Sequence, residues 1–393
     1  MTPYSTLDDV DVTNKRVLLR LDLNLPLHEG KVTDLTRLER VLPTLRELVA
    51  HGARVIVLTH LGRPKGIDPA LSLAPIAHAL TQAMDPVPVA FCESIQGPTV
   101  LHAIERLEKG SILLLENIRF RSEEEANDPN FAREMATWGD LYVNDAFSAA
   151  HRAHASTEAI THLLPSYAGR LMEAELKALG SALDNPQRPL MAIVGGSKVS
   201  TKLPVLENLA QRVDHLVIGG AMANTFLSAT GVDVGASLYE PGLCDTARKL
   251  LEAYPQMILP QDVVVAKDLQ DPSTIAIRLT GDVGKDEKIL DIGPLTCQAI
   301  KDTMAQCKTL LWNGPVGLYE IPPFDQGSID LTQTAAALTQ TGALLTVAGG
   351  GDTIALLARA GVLEDFTYVS TAGGAFLEWM EGKVLPGVEA LGR

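Results

Sequence analysis

The chain of 393 residues has little cysteine and no long apolar run. Its four cysteines, Cys92, Cys244, Cys297 and Cys307, form no C-x-x-C pair, which argues against a disulfide framework or a zinc site. No apolar segment approaches the roughly 20 residues of a membrane-spanning helix. The first residues, MTPYSTLDDVDV, carry acids and no apolar core, unlike a secretory signal. We therefore expect a reduced, soluble protein of the cytoplasm.

The net charge of −15 argues against nucleic acid as the main partner. Residues 1–170 nevertheless hold 13 of the 19 arginines and 8 of the 9 histidines, although this segment still nets −5 from 17 basic and 22 acidic residues. The arginines are therefore not part of a general basic surface. Because arginine suits bidentate binding of carboxylate and phosphate, their positions decide between a binding site and scattered surface charge.

Apolar runs alternate with helical patterns along the whole chain, which predicts βαβ units and parallel sheets. In the first half the runs lie at 16–26, 54–64, 87–91, 111–117 and 140–147. In the second half they lie at 190–196, 215–220, 256–266, 309–315 and 343–351. The pattern predicts an α/β fold of two doubly wound parallel-sheet, Rossmann-like domains, joined by a helix and separated by a cleft.

The predicted joint is a helix at 169–185, because Leu171, Leu176 and Leu179 have helical spacing before Asn185-Pro186. This boundary gives an amino-terminal domain at 1–168 and a carboxy-terminal domain at 186–377. We expect the tail, about 378–393, to pack back on the first domain.

Polar and cationic side chains follow the predicted strands of the first half, at the sheet edge where open α/β proteins bind ligands. They come from four loops and are Asp22, Asn24, Arg37, His60, Arg63, Arg119, Arg121, His151, Arg152 and His154. We call this set the anion rim. One such arginine would indicate a surface salt bridge, whereas four loops predict a site for a small polyanion. The histidines are expected to hydrogen-bond within the rim, since no carboxylate–histidine spacing indicates a metal site.

The predicted strands of the second half end in glycine. These ends are Gly195-Gly196, Gly219-Gly220, Asn313-Gly314 and Gly349-Gly350-Gly351. Glycine lets the backbone approach a ligand closely, although tight strand–helix packing would also explain each pair. None of these segments matches a Walker A loop or a clean G-x-G-x-x-G, and the D-F-G and H-R-D motifs of protein kinases are absent.

Charged residues follow two of these glycine segments and point to phosphate chemistry. Lys198 and Lys202 are spaced one helical turn apart, so we expect them on one helix face. Asp352 opens a predicted helix, a suitable position for a carboxylate that binds Mg²⁺ beside phosphates, although helix capping would also account for it. A further glycine-rich helix start, at 370–375, could bind another phosphate.

Eight segments resemble the phosphoglycerate kinase family, in the family's order and over nearly the whole chain. They are RLDLNLP (20–26), THLGRP (59–64), LENIRF (115–120), NDAFSAAHRAHAS (144–156), VGGSKVSTK (194–202), LWNGPVGLYE (311–320), VAGGGDT (347–353) and STAGGAFLE (370–378). The resemblance implies reversible transfer of a phosphoryl group from 1,3-bisphosphoglycerate to ADP, which gives 3-phosphoglycerate and ATP. Two positions depart from the family pattern, because Ala221 and Ala372 replace the usual glycines.

Carried over residue by residue, the resemblance also implies a set of site residues. The phosphoglycerate would contact Asp22, Leu23, Asn24, Arg37, His60, Leu61, Gly62, Arg63, Arg119 and Arg152. The nucleotide would contact Gly196, Lys202, Gly220, Asn313, Glu320, Gly350, Gly351, Asp352 and Thr353, with Glu320 on the ribose and Asp352 on Mg²⁺. The transferring group would be stabilised by Arg37, Lys198 and the amides of Gly373 and Gly374. The implied enzyme is a monomer that uses Mg²⁺ with ADP or ATP and has no nucleic-acid or membrane partner.

The implied acceptor in the ATP-consuming direction is a carboxylate, which is already ionised at neutral pH because its pKa is about 4. No general base is then required, and positioning and charge stabilisation carry the in-line transfer. We expect the cleft to close and exclude water before transfer, with 165–185 and 370–380 as candidate hinges.

Two other functions would require different sequence features. A nicotinamide-dependent dehydrogenase would need a G-x-G-x-x-G fingerprint, which is missing. A hinged anion-binding protein would not need Lys198, Lys202 and Asp352 opposite the anion rim, and such proteins are commonly exported.

Overall fold

The computed structural model describes residues 4–392. Contacts divide the chain into two compact units. One unit runs up to Lys177 and includes the segment that begins at Val384, and the other spans Ala178–Lys383. Within residues 4–392, no helix is long and apolar enough to cross a membrane.

The first unit is built on a six-stranded parallel sheet and a short hairpin. Its strands are β1 (Arg16–Arg20), β2 (Leu27–His28), β3 (Lys31–Val32), β4 (Arg54–Leu58), β5 (Val89–Cys92), β6 (Ser111–Leu115), β7 (Leu141–Asn144) and β8 (Ser166–Ala168). The order in the sheet is β5-β6-β4-β1-β7-β8, and every neighbouring pair is parallel. The two remaining strands, β2 and β3, form the antiparallel hairpin after β1.

Helices cover both faces of this sheet. They are α1 (Thr36–Ala50), α2 (Ala74–Met84), α3 (Pro98–Glu105), α4 (Ser122–Glu125), α5 (Pro129–Ala136) and the beginning of α6 (Arg170–Leu179). Side chains of β1 alternate between two apolar clusters: Val17 and Leu19 join one cluster, and Leu18 joins the other. Burial on both faces explains why the strands appear in the sequence as near-continuous apolar runs.

The second unit contains another six-stranded parallel sheet and a separate antiparallel sheet. Its strands are β9 (Leu190–Val194), β10 (His215–Ile218), β11 (Met257–Ile258), β12 (Asp262–Ala266), β13 (Ala276–Leu279), β14 (Lys288–Ile292), β15 (Thr309–Asn313), β16 (Leu345–Gly349) and β17 (Tyr368–Ser370). The parallel order is β11-β10-β9-β15-β16-β17, and the antiparallel order is β13-β12-β14. The predicted class, α/β with two doubly wound parallel sheets, is confirmed.

One predicted strand run was wrong. The run at 256–266 is two strands in different sheets, with β11 in the parallel sheet and β12 in the antiparallel one. Pro260 lies between them, and proline cannot donate to a strand ladder, so the pairing stops there.

Most helices of the second unit follow one of its parallel strands, and a π-helical turn precedes the sheet. The helices are α7 (Leu203–Ala210), α8 (Met222–Ala229), α9 (Cys244–Ala253), α10 (Pro294–Met304), α11 (Gln326–Gln340), α12 (Gly351–Ala360) and α13 (Gly374–Met380). The π-helical turn, Gly180–Asp184, continues α6. The core of this unit packs Met191 and Ile193 of β9 with Trp312 of β15.

The tail after Val384 packs within the first unit. Its helix α14 (Pro386–Glu389) lies against the loop after β7, where the Gly387 N–H donates to the Ala150 carbonyl at 2.9 Å. A Cβ at Gly387 would lie 3.0 Å from the Cα of Ala150, so only glycine allows this close approach without a shift.

Candidate functional site

The loop after β1 places a carboxylate and an arginine in contact. Asp22 is 9% exposed, and its Oδ2 lies 2.6 Å from Nη1 of Arg37 in the first turns of α1. The Ser148 hydroxyl donates to the same oxygen, and the Asn24 N–H donates to Oδ1 at 3.1 Å. Burial alone would raise the pKa of Asp22, but the groups around the carboxylate, among them the Arg37 guanidinium and these two hydrogen bonds, outweigh burial and hold the pKa below its usual value. The carboxylate therefore stays ionised and orients Arg37.

Hydrogen bonds join the loops after β1, β4 and β6. The Asn24 side-chain oxygen accepts from the Gly62 N–H at 3.0 Å. Arg119 donates from Nη1 to the Gly62 carbonyl at 2.8 Å, and it is only 7% exposed. Asn117 bonds both backbone groups of Leu61, which holds the loop after β4 against the loop after β6. The predicted residues of these loops therefore lie together.

His60 is buried beside an arginine of the strand β1. Its Nδ1 lies 3.1 Å from Nη2 of Arg20, a fully buried side chain. Burial and the Arg20 charge lower the pKa of His60 well below its ordinary value, while Asp22 opposes this. His60 is therefore neutral at neutral pH, and Arg37 is the cation that keeps Asp22 ionised.

Not every arginine of the predicted rim belongs to this cluster in the same way. Arg152 is half-buried and its Nε donates to Nε2 of His151 at 3.1 Å, whereas Arg63 is exposed. Arg121 pairs with Glu123 at 2.8 Å and stacks over the Phe131 ring at 4.6 Å. The sequence grouped Arg121 with Arg119, but this acidic and aromatic surrounding already neutralises and covers its guanidinium.

The second unit contains a cavity of about 340 Å³ beyond the ends of its parallel strands. We call it the glycine-lined cavity, and its walls include Gly196, Gly220, Ala221, Asn224, Leu238, Val316, Tyr319, Glu320 and Asp352. A Cβ at Gly220 would lie 2.6 Å from the Gly196 carbonyl oxygen, so this wall requires glycine. Its mostly apolar and backbone walls, with a few carboxylates, are typical of a small-molecule site.

A hydrogen-bond network at the ends of β15 and β16 borders this cavity. Lys202 donates to the Asn313 side-chain oxygen, and the Asn313 amide donates to the Gly349 carbonyl at 2.6 Å. The Thr353 hydroxyl also donates to Gly349 at 3.0 Å and accepts from the Gly314 N–H at 2.8 Å. Burial lowers the pKa of Lys202, while the charge of Asp352 opposes the shift. The network fixes a lysine beside the start of α12.

Gly350 and Asp352 lie at the amino-terminal end of α12. Gly350 has φ +103°, and a Cβ there would lie 2.6 Å from Nδ2 of Asn313, so glycine is required on both counts. Asp352 is exposed, and the Tyr319 hydroxyl lies 3.4 Å from its Oδ1. Residues 4–392 contain no group of three or more His, Cys, Asp or Glu that could hold a metal. One carboxylate fits Mg²⁺ that is shared with nucleotide phosphates rather than caged by protein.

Lys198 and the glycines of α13 do not line the glycine-lined cavity. The expected helical turn from Lys198 to Lys202 was wrong, because 195–202 is irregular and α7 begins at Leu203, where Pro204 favours a helix start. Lys198 is exposed. Gly373 precedes α13 with φ +54°, and Gly374 is its first residue, so their amides lie in the turn without intrahelical acceptors.

Sequence reasoning missed four residues that complete these clusters. Arg20 and Ser148 contact the rim residues His60 and Asp22, and Tyr319 contacts Asp352. Asp291 lines the glycine-lined cavity and is 2% exposed. Arg20 was the one of the four that the sequence could have indicated, because it lies inside the apolar run 16–26 and a charge in a buried strand needs a partner.

The alanines that replace glycine in the family pattern differ in surroundings. Ala221 lines the glycine-lined cavity, so its methyl group forms part of that wall. Ala372 is 6% exposed, and its N–H donates to the Ser370 hydroxyl at 3.3 Å. The methyl group of Ala372 is therefore turned into the fold, away from solvent.

Comparisons with known proteins agree on one family. The family model described as phosphoglycerate kinase matches residues 7–383. The phosphoglycerate kinase of Methylorubrum extorquens (strain PA1) is 54% identical over 100% of this chain and 99% of its own, and that of Rhodospirillum centenum is 53% identical over 99% of each. The solved structure of phosphoglycerate kinase from Coxiella burnetii covers 99% of both chains, with a TM-score of 0.92 and 40% identity.

Proposed function

The chain belongs to the phosphoglycerate kinase family, and on that premise we propose how its residues divide the work of the reaction. The enzyme is a phosphotransferase of glycolysis that moves a phosphoryl group from 1,3-bisphosphoglycerate to ADP, which gives 3-phosphoglycerate and ATP. The observation that carries the proposal is that two different kinds of site belong to different units. The anion rim belongs to the first unit, and the glycine-lined cavity belongs to the second.

The anion rim binds the phosphoglycerate. Its contacts are Asp22, Leu23, Asn24, Arg37, His60, Leu61, Gly62, Arg63, Arg119 and Arg152. Arginine can bind phosphate and carboxylate through two parallel hydrogen bonds, which fixes the orientation of a small acid. Two features support this role: the ion pair of Arg37 with Asp22, and the hydrogen bonds that join three loops at Gly62 and Asn117.

The glycine-lined cavity and its border bind the nucleotide. Gly196 and Gly220 border the adenine, Glu320 binds the ribose, and the phosphates bind at the amino-terminal end of α12. The phosphate contacts are Lys202, Asn313, Gly350, Gly351 and Thr353. Asp352 would hold Mg²⁺, and the bound ion would supply positive charge against the phosphate oxygens. Support comes from the cavity walls and from the hydrogen bonds that fix Lys202 beside this helix start.

The chemistry rests on positioning and on charge stabilisation. The acceptor carboxylate of 3-phosphoglycerate is ionised at neutral pH, so the chain needs no general base. Arg37, Lys198 and the amides of Gly373 and Gly374 stabilise the transferring group, as cations and backbone N–H groups do in phosphoryl transfer. Because these groups belong to both units, transfer follows a closure that excludes water. We further propose a monomer that works in the cytoplasm.

A coupled assay tests this function. Purified protein is incubated with ADP, Mg²⁺ and 1,3-bisphosphoglycerate that is generated in the same reaction mixture. ATP formation is followed with a separate coupling enzyme that consumes ATP. We expect ATP formation that depends on all three additions and disappears without 1,3-bisphosphoglycerate. Tight binding of 3-phosphoglycerate with no ATP formed would indicate a binding protein instead and would overturn the proposal.

A further inference from the structure

A line of buried hydrogen bonds runs behind the anion rim. Glu124 is fully buried and accepts at Oε2 from the Ser156 N–H at 2.9 Å and at Oε1 from the Ser156 hydroxyl at 2.6 Å. The Ser156 oxygen in turn lies 2.8 Å from Nε of Arg20. Nη2 of Arg20 then reaches Nδ1 of His60. We call Glu124, Ser156 and Arg20 the buried relay.

The direction of each hydrogen bond in the relay is fixed by chemistry. A guanidinium has no acceptor, so Nε of Arg20 donates to the Ser156 oxygen, and the single hydroxyl proton of Ser156 is left for Glu124. A guanidinium only donates, and therefore Nδ1 of His60 accepts and carries no proton. The imidazole is then neutral, with its proton on Nε2.

The charges around His60 favour the same state. Arg20, Arg119 and His154 surround the ring, and Asp22 is the anion that faces it. A protonated ring would put a second cation 3.1 Å from Arg20, inside the protein, which is costly. In the part of the chain that the structure describes, Nε2 of His60 has no hydrogen-bond partner. That N–H is therefore available to an oxygen of a bound anion.

We propose that the buried relay is a positioning device, which holds His60 as the neutral Nε2–H tautomer and so presents one hydrogen-bond donor to the phosphoglycerate. The inference rests on the proposed function for its ligand, but the tautomer itself does not depend on turnover. Arg20, Ser156 and Glu124 act through His60 and are positioning residues. A consequence is that His60 contributes the same donor at pH 6 and at pH 8, because it does not titrate in that range.

The tautomer can be read directly in the full-length protein. Nitrogen-15 histidine labelling with long-range proton–nitrogen correlation separates Nδ1–H, Nε2–H and doubly protonated rings, and His60→Gln assigns the signal. We expect an unprotonated Nδ1 and a protonated Nε2 at pH 7 that persist at pH 5.5. A protonated Nδ1 at pH 7 would overturn the proposal. This measurement is made on the protein without any substitution in the relay. It therefore still tests the proposal if a relay variant fails to fold.

Ser156→Ala tests the relay itself. Without the hydroxyl, Arg20 loses an acceptor, so we expect a mixed His60 tautomer and a KM for 3-phosphoglycerate raised roughly tenfold, with the KM for ATP unchanged. Ser156→Thr keeps the hydroxyl and should restore both. Ser111→Ala is the matched control, because Ser111 is also buried but its hydroxyl donates to the Glu108 carbonyl at the other end of the sheet.

The two proposals fail in different ways. An unchanged tautomer together with an unchanged KM for 3-phosphoglycerate in Ser156→Ala would overturn the relay. Absence of ATP formation by the unsubstituted protein would instead overturn the proposed function and would leave the tautomer as measured.

Discussion

Arg37 and Asp22 form an ion pair of 2.6 Å within the anion rim. The Asp22 side chain is nearly buried, whereas the Arg37 side chain is 39% exposed, so the pair holds the arginine at the edge of the site and leaves part of its side chain accessible. Asp22 therefore decides where the charge of Arg37 lies. The position of this charge matters because Arg37 is proposed both to bind phosphoglycerate and to stabilise the transferring group.

We predict that Arg37→Ala lowers kcat about 100-fold and leaves the KM for ADP within about twofold, since a donor that acts mainly in the transition state is lost. Steady-state kinetics in the coupled assay measure both quantities. Arg46→Ala is the control, because Arg46 is an exposed arginine of the same helix whose contact is the Ala83 carbonyl at 3.5 Å. An unchanged kcat in Arg37→Ala would remove the catalytic role.

Asp352 should contribute to binding of the Mg²⁺–nucleotide and not to binding of 3-phosphoglycerate. We predict that Asp352→Asn weakens ADP binding in the presence of Mg²⁺ by about 10- to 100-fold, because a charged contact is lost, and that it leaves 3-phosphoglycerate binding unchanged. Calorimetry with each ligand, with and without Mg²⁺, measures this. Asp302→Asn is the control, an exposed aspartate on α10 that bonds Gln298. Equal weakening of ADP binding without Mg²⁺ would mean that Asp352 does not act through the metal.

Asp291 should give the stability of the protein a pH dependence. Burial raises its pKa to about 7, and Asp325 and Asp330 add to the shift against two backbone N–H donors. In the unfolded chain the pKa is about 3.9, so between about pH 4 and pH 7 the folded state holds more protons. The free energy of unfolding therefore falls as the pH rises through this window.

The substitution Asp291→Asn removes this titration. The unsubstituted protein loses stability between pH 4 and pH 8 as Asp291 ionises, and the variant does not. We therefore predict that the free energy of unfolding of the variant, minus that of the unsubstituted protein, rises by on the order of 3 kcal/mol from pH 4 to pH 8. Denaturant unfolding at the two pH values measures the difference. Parallel curves for the two proteins would show that Asp291 titrates normally in the fold.

Sequence patterns predicted the strand ends well for a physical reason. Strands buried on both faces give continuous apolar runs, and the polar residues that follow must lie at one edge of a parallel sheet. Asp22, Asn24 and Arg119 were found in this way, and the structure joins them by hydrogen bonds, with Gly62 between Asn24 and Arg119. The strands β13 and β14 were missed, because they belong to a small sheet that is partly exposed and lacks such runs.

Side-chain partners could not be predicted from position in the chain. Arg20 and Glu124 are 104 positions apart and meet through Ser156, a contact that only the folded packing creates. Arg121 is two residues from Arg119, yet its contacts with Glu123 and Phe131 give it another role. Spacing also misled at Lys198, because Pro204 starts the helix later than the lysine pattern suggested.

The central claim is that each unit binds one substrate, and amide hydrogen exchange tests it most directly. The full-length protein is measured with 3-phosphoglycerate alone and with ADP and Mg²⁺ alone. We predict that 3-phosphoglycerate slows exchange in peptides that contain 22–24, 60–63 and 117–119. We predict that the nucleotide slows exchange in those that contain 195–202, 313–320 and 349–353. Protection of the second set by 3-phosphoglycerate, or of the first set by ADP, would contradict the account.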